Sequence, residues 1–218
     1  MTPADFKVTG VRRNGPGSLD MELASGSPPL RVVLHYRQRT GERFQRKWLE
    51  VIPPAGEEVF LDYVALECFK PWQEPRMFKG RGQPVYVGHT FWSVAYPSAR
   101  TWRKDGKVFC GYPVGLVVDE RGYVSRKSVY GVSFSGEKVG SSFLDCVDRM
   151  RARPAKPFLL WNTWYHLRRY SAEEVVQAVR ELDQKLQEPF GAGFDSVVLD
   201  SGWDDHRDLW TPHPKRFP

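Results

Sequence analysis

LLWNTWY (159–165) and VVLDSGWDD (197–205) are the stretches that decide the fold. Each is a short apolar run that ends abruptly in polar and aromatic residues. Between them, Val175, Val179, Leu182 and Leu186 fall at helical spacing within 172–187. Ser171 suits the N-cap of that helix, and Glu174 completes a capping box three residues later. Pro189 and the glycines at 191 and 193 end it. Strand, helix, strand at this spacing is a βαβ unit, with parallel strands and a right-handed crossover. Parallel α/β architectures bind ligands at the C-terminal ends of their strands. Asn162 and Trp164 on one strand end, and Asp200 to Trp203 on the other, are therefore expected to converge.

Upstream the pattern changes from helical to strand-like. Leu19, Met21 and Leu23 alternate with Asp20 and Glu22, the period of a half-buried strand. Residues 31–39 and 44–52 read as a hairpin around Thr40-Gly41. Residues 59–69 are apolar on both faces, as for a strand between two layers. Segments 114–118 and 123–134 flank Asp119-Glu120-Arg121-Gly122, a type I turn pattern expected to close a hairpin. Turn signals this frequent point to a β-sandwich over 1–140. Phe143, Val147 and Met150 then mark a helix, and Pro154 and Pro157 end it, so 141–156 reads as a linker helix. Residues 157–218 hold the βαβ unit. The expected fold is mixed: all-β, then α/β.

The chain has 218 residues and a formal net charge of +6, but Lys and Arg are interspersed with acids and no nucleic-acid-binding motif accompanies them. No nucleic-acid partner is expected. Three cysteines without a CxxC pair fit buried free thiols rather than a disulfide framework or zinc knuckle. The first ten residues show no secretory pattern, and no run of about eighteen apolar residues occurs. The expectation is a cytoplasmic protein without a membrane partner. Asp204, Asp205, His206, Asp208 and His213 match no standard metal spacing and read as a solvated loop, so no metal is expected. No GxGxxG, P-loop or Gly-x-Ser-x-Gly elbow is present, and no cofactor is expected. Phe91, Trp92 and Tyr96 fit either sandwich packing or the rim of a site.

The two strand ends suit sugar recognition. A carboxylate accepts hydrogen bonds from two hydroxyls, an amide both donates and accepts, and an indole face covers the C–H patch of a pyranose. In order and spacing, WNTWY, LDSGWDD and LWTPHPKRFP (209–218) resemble the start of the catalytic barrel in melibiase-type α-galactosidases and the related raffinose synthases. That resemblance implies a large β-sandwich (supersandwich) followed by the first βαβ unit of a (β/α)8 TIM barrel, over 157–218. It implies Trp164 as a sugar-subsite wall, Asp200 as the acid that binds sugar hydroxyls, and Trp203 as a subsite wall or the packing beneath it. Asn162 and Ser201 complete the expected substrate-binding set. Ser201 stands where the family pattern has a second acid, which removes a charge and leaves the sugar open. Family members are retaining glycosidases whose two catalytic carboxylates lie on later barrel strands. The resemblance thus implies the N-terminal part of an α-glycosidase, a hydrolase or transglycosylase acting on α-linked oligosaccharides, with its catalytic residues downstream of Pro218. The fragment by itself is expected to be inactive, and its oligomeric state is left open. The alternative is a non-catalytic β-sandwich module that binds carbohydrate or protein.

Overall fold

A computed structural model describes residues 1–167 and 169–218, with Pro3 and Leu209 as backbone alone. The chain forms two compact units, Met1–Ala152 and Arg153–Pro218.

In the first unit the strands are β1 (Phe6–Arg13), β2 (Ser18–Ser25), β3 (Arg31–Arg37), β4 (Phe44–Ile52), β5 (Val59–Phe69), β6 (Arg76–Met77), β7 (Val85–Val87), β8 (Thr90–Val94), β9 (Arg100–Lys104), β10 (Lys107–Val118), β11 (Tyr123–Val124) and β12 (Ser128–Val132). They make two antiparallel sheets. The larger runs β1-β2-β3-β4-β12-β8-β7-β6, with β11 also on β4; the smaller runs β5-β10-β9. A shared core holds them face to face. Val85, Val87, Trp92 and Val94 of the larger sheet pack with Val64, Leu66, Val108, Cys110 and Tyr112 of the smaller. This is a β-sandwich.

Two features bind the layers beyond apolar contact. Lys47 Nζ on β4 lies 2.7 Å from Glu67 Oε2 on β5, and the Ser128 hydroxyl on β12 donates to the other oxygen of Glu67. The Tyr112 and Tyr123 hydroxyls meet at 2.9 Å, and the Arg126 amide donates to Tyr112 Oη. Gly131 is dictated by packing: a Cβ there would fall inside the Phe91 ring. All three cysteines are free; burial pushes the Cys110 thiol well up and Cys146 to about 12, so neither is a thiolate at neutral pH.

Two expectations change. The 59–69 strand exists, but Phe60 is 63% exposed, so β5 is not buried on both faces. A bulge where Glu67 pairs with Cys110 and Ala65 with Gly111 shifts which side chains point inward. The Asp119–Gly122 turn forms, with the Gly122 amide bonded to the Asp119 carbonyl at 2.9 Å, but it does not close a hairpin. β10 pairs with β5 and β9, whereas β11 and β12 pair with β4, so the turn carries the chain from one sheet to the other. The helix α1 (Val139–Met150) follows β12 within Met1–Ala152. Val139, Phe143, Cys146 and Met150 pack on Phe44, Tyr86, Phe91 and Val129.

In the second unit, β13 (Leu160–Asn162) is followed by a 3-10 turn (Thr163–Tyr165), the helix α2 (Ala172–Phe190) and β14 (Ser196–Val198). Then come β15 (Asp204–Asp205) and β16 (Asp208–Pro212), an antiparallel hairpin where the acidic and histidine-rich stretch was expected as a loop. β13 and β14 pair in parallel, Asn162 opposite Val198, with α2 between them in sequence. The capping box is present: Ser171 Oγ accepts from the Glu174 amide, and Glu174 Oε2 accepts from the Ser171 amide. The helix runs through Pro189 and stops at Gly191, whose φ of 60° is the left-handed conformation glycine adopts without strain. No helix among the described residues is long and apolar enough to cross a membrane.

Candidate functional site

The parallel register of β13 and β14 sets the site. With Asn162 opposite Val198, the residues that follow each strand leave the sheet side by side. The strand starts are pinned as well. Asp195 accepts from the Leu159 amide at 2.9 Å and lies 3.3 Å from Lys156 Nζ. Those two partners hold its carboxyl below the usual range.

At the other end, Asn162 is a two-way connector. Its Oδ1 accepts from the Trp164 amide at 2.8 Å, starting the 3-10 turn. Its Nδ2 donates to Asp200 Oδ2 at 3.3 Å, reaching across to the second strand. The remaining oxygen, Asp200 Oδ1, accepts from the Ser201 amide at 2.7 Å. The amide orientation of Asn162 follows from these partners, because each of its two ends meets a group of opposite character. Asp200 is half-buried and Trp164 is 54% exposed, so a polar pair lies one residue from an open indole. Among the described residues each carboxylate oxygen has one donor, leaving acceptor capacity for ligand hydroxyls.

The structure therefore brings Asn162, Asp200 and Ser201 into one hydrogen-bonded group and hooks Trp164 to it through its backbone. Ser201 is exposed. Trp203 joins a different group. Its ring lies 6.1 Å from that of Trp210, and its carbonyl accepts from the His213 amide. Gly202, with φ 115°, makes the sharp turn between Ser201 and Trp203. Arg207 holds Asp205 at about 2 by a side-chain hydrogen bond, which ties that acid to the hairpin. Trp161 is half-buried, edge-on to His166.

Two residues at the site escaped the sequence reading. Thr163 is fully buried, and Tyr170 is 2% exposed. The Asp200 amide donates to Thr163 Oγ1 at 2.9 Å, the Thr163 hydroxyl donates to Tyr170 Oη at 3.1 Å, and the Tyr170 hydroxyl donates to the Asp200 carbonyl at 2.6 Å. Phe217 packs edge-on against Tyr170, and the Arg216 carbonyl accepts from the Ala172 amide. Phe91 and Trp92, by contrast, are buried in the first unit, and Tyr96 packs on Tyr112.

No family model matches this chain, and no curated protein matches it in sequence. Solved structures do match in fold. A GH36 α-galactosidase, AgaA of Geobacillus stearothermophilus, superposes with a TM-score of 0.58 at 15% identity, over 98% of this chain and 40% of the enzyme. A variant of that enzyme in complex with stachyose gives 0.51 at the same identity and coverage. The α-galactosidase of Lactobacillus brevis gives 0.53 at 10% identity, over 95% of this chain and 35% of its own. At these identities the likeness is one of fold. The chain spans 35–40% of the length of these neighbours.

Proposed function

We propose that these residues are the N-terminal part of a retaining α-glycosidase, with a β-sandwich followed by the opening βαβ unit of a (β/α)8 barrel. The Asn162–Asp200 bridge between neighbouring strand ends, beside the exposed Trp164, carries this reading. Its geometry suits a sugar: Asp200 accepts hydrogen bonds from hydroxyls and Trp164 covers the apolar face of the ring. Fold likeness to α-galactosidases over nearly the whole chain supports it, as does the crystallisation of one neighbour with stachyose. Leu160 and Val197 on the two-stranded sheet are 46% and 37% exposed, the kind of apolar surface that further barrel elements cover.

In this reading the residues here bind and orient an α-linked sugar, and the catalytic carboxylates belong to later strands. Ser201 supplies a hydroxyl where an acid would add charge, so the site favours α-glycosides without being committed to galactose. The test is a titration of the chain with methyl α-galactoside and methyl α-glucoside, followed by 1H–15N NMR. Shifts concentrated on the Asn162 side-chain amide, the Trp164 indole and the 200–203 amides support the proposal. Saturable shifts confined to 1–152 would replace it with a sandwich binding module.

A further inference from the structure

We infer that Thr163 and Tyr170 are positioning residues that lock the Asp200 peptide, and with it the carboxylate, before any ligand arrives. The inference rests on the reading of Asp200 as a sugar ligand. Its observation is the closed ring Asp200 N–H to Thr163 Oγ1, Thr163 O–H to Tyr170 Oη, and Tyr170 O–H to Asp200 C=O, at 2.9, 3.1 and 2.6 Å.

The proton order in that ring has one solution. An amide only donates and a carbonyl only accepts. Thr163 must therefore accept from the Asp200 amide and donate its own hydroxyl hydrogen bond to Tyr170, and Tyr170 must donate to the carbonyl. Both hydroxyls are buried, so neither has water as a substitute partner. One residue thus has its N–H and C=O both held by side chains, just past the end of β14, where strand pairing no longer holds the backbone. Buried chains of this kind strengthen one another.

The holders are themselves fixed. Thr163 follows the last residue of β13, and Tyr170 directly precedes the Ser171 cap of α2, with Phe217 against its ring. A binding carboxylate is useful when its geometry is set by its supports rather than by the ligand. Here the peptide is clamped by the hydroxyl ring and the side chain by Asn162 Nδ2 and the Ser201 amide.

The test uses the 218-residue chain without sugar, by NMR. In the wild type the Asp200 amide should exchange slowly, its χ1 couplings should report one rotamer, and a slowly exchanging Tyr170 hydroxyl proton should be visible. Tyr170→Phe and Thr163→Val should speed Asp200 amide exchange by roughly tenfold or more and average the χ1 couplings, with amides in the middle of α2 unchanged. Thr163→Ser, which keeps the hydroxyl, should restore both. An unprotected Asp200 amide in the wild type overturns the inference whether or not any variant folds. So does a single Asp200 rotamer retained in a folded Tyr170→Phe chain, which would leave the hydroxyls a purely structural role. Sugar titration is read separately: if the exchange and rotamer results hold while the wild type binds no α-glycoside, the lock stands and the sugar reading of Asp200 falls.

Discussion

Replacing Lys47 by Met breaks an ion pair that joins the two sheets through the sandwich interior, Lys47 Nζ to Glu67 Oε2 at 2.7 Å. The side chains are 16% and 11% exposed, and among the described residues Glu67 keeps only the Ser128 hydroxyl when the lysine is gone. Stranding a buried charge costs about 3–5 kcal/mol; the residual exposure here lowers the expectation to about 2–3 kcal/mol. Glu67→Gln strands Lys47 instead and should cost a similar amount, although the carboxamide oxygen still accepts from the Ser128 hydroxyl. The double variant strands no charge and should lose only about 1–2 kcal/mol. The two sites are then coupled by about 3 kcal/mol, far above the additivity expected of independent positions. Urea unfolding followed by far-ultraviolet circular dichroism measures this. With a slope of about 2 kcal/mol/M, each single variant moves the midpoint down by about 1 M and the double by less. Single-variant losses below about 0.5 kcal/mol, or simple addition in the double, would refute the idea that Glu67 is a buried, ion-paired tie.

Further outcomes follow from individual contacts. Arg37, and after it His35, hold the Asp20 carboxyl at about 2, below its unfolded value near 3.9; that stability is present above about pH 4 and is lost as pH falls through about 2. Asp20→Asn should accordingly be less stable than wild type at pH 6, with the gap closing as pH falls through and below about 2, by thermal melting. Ser171→Ala removes the cap of α2 and should cost about 1 kcal/mol, read as faster amide exchange across its first turn. Gly131→Ala forces a methyl into Phe91 and should destabilise the sandwich by about 3 kcal/mol in urea unfolding, with Phe91→Leu in the same chain relieving part of the loss.

The parts of this fold legible in the sequence were those with a strong local period or an end signal. The α2 stripe and the Ser171/Glu174 box are such signals, and the 31–52 hairpin is another. Less legible was β1, an edge strand whose only apolar residues are Phe6, Val8 and Val11, with most positions exposed, so no alternation announces it. The sequence pattern marks only 114–118 of β10, and Gly111 and Pro113 are residues that strand interiors disfavour. Bulges beside both residues let the strand continue as the centre of its sheet. Asp105-Gly106, with φ values of 49° and 72°, is a tight Asp-Gly turn joining β9 to β10. The turn at Asp119–Gly122 was visible, but whether a turn pairs its flanks or moves the chain to another sheet depends on distant partners, here β4. At the site, the spacing of the two strand ends pointed to Asn162 and Asp200. Thr163 and Tyr170 were not legible, because a hydroxyl's partner seven or thirty-seven residues away leaves no periodic trace.

The proposed role in α-glycoside hydrolysis with retention is open to direct measurement. The most direct test is made on the full-length protein. Aryl α-glycosides are supplied as substrates, and the first-formed anomer is read by 1H NMR. Turnover of at least one α-glycoside with the α-anomer released first, and loss of turnover on Asp200→Ala, are the expected results. A correctly folded protein that cleaves none of them, or that releases the β-anomer, would contradict the proposed role.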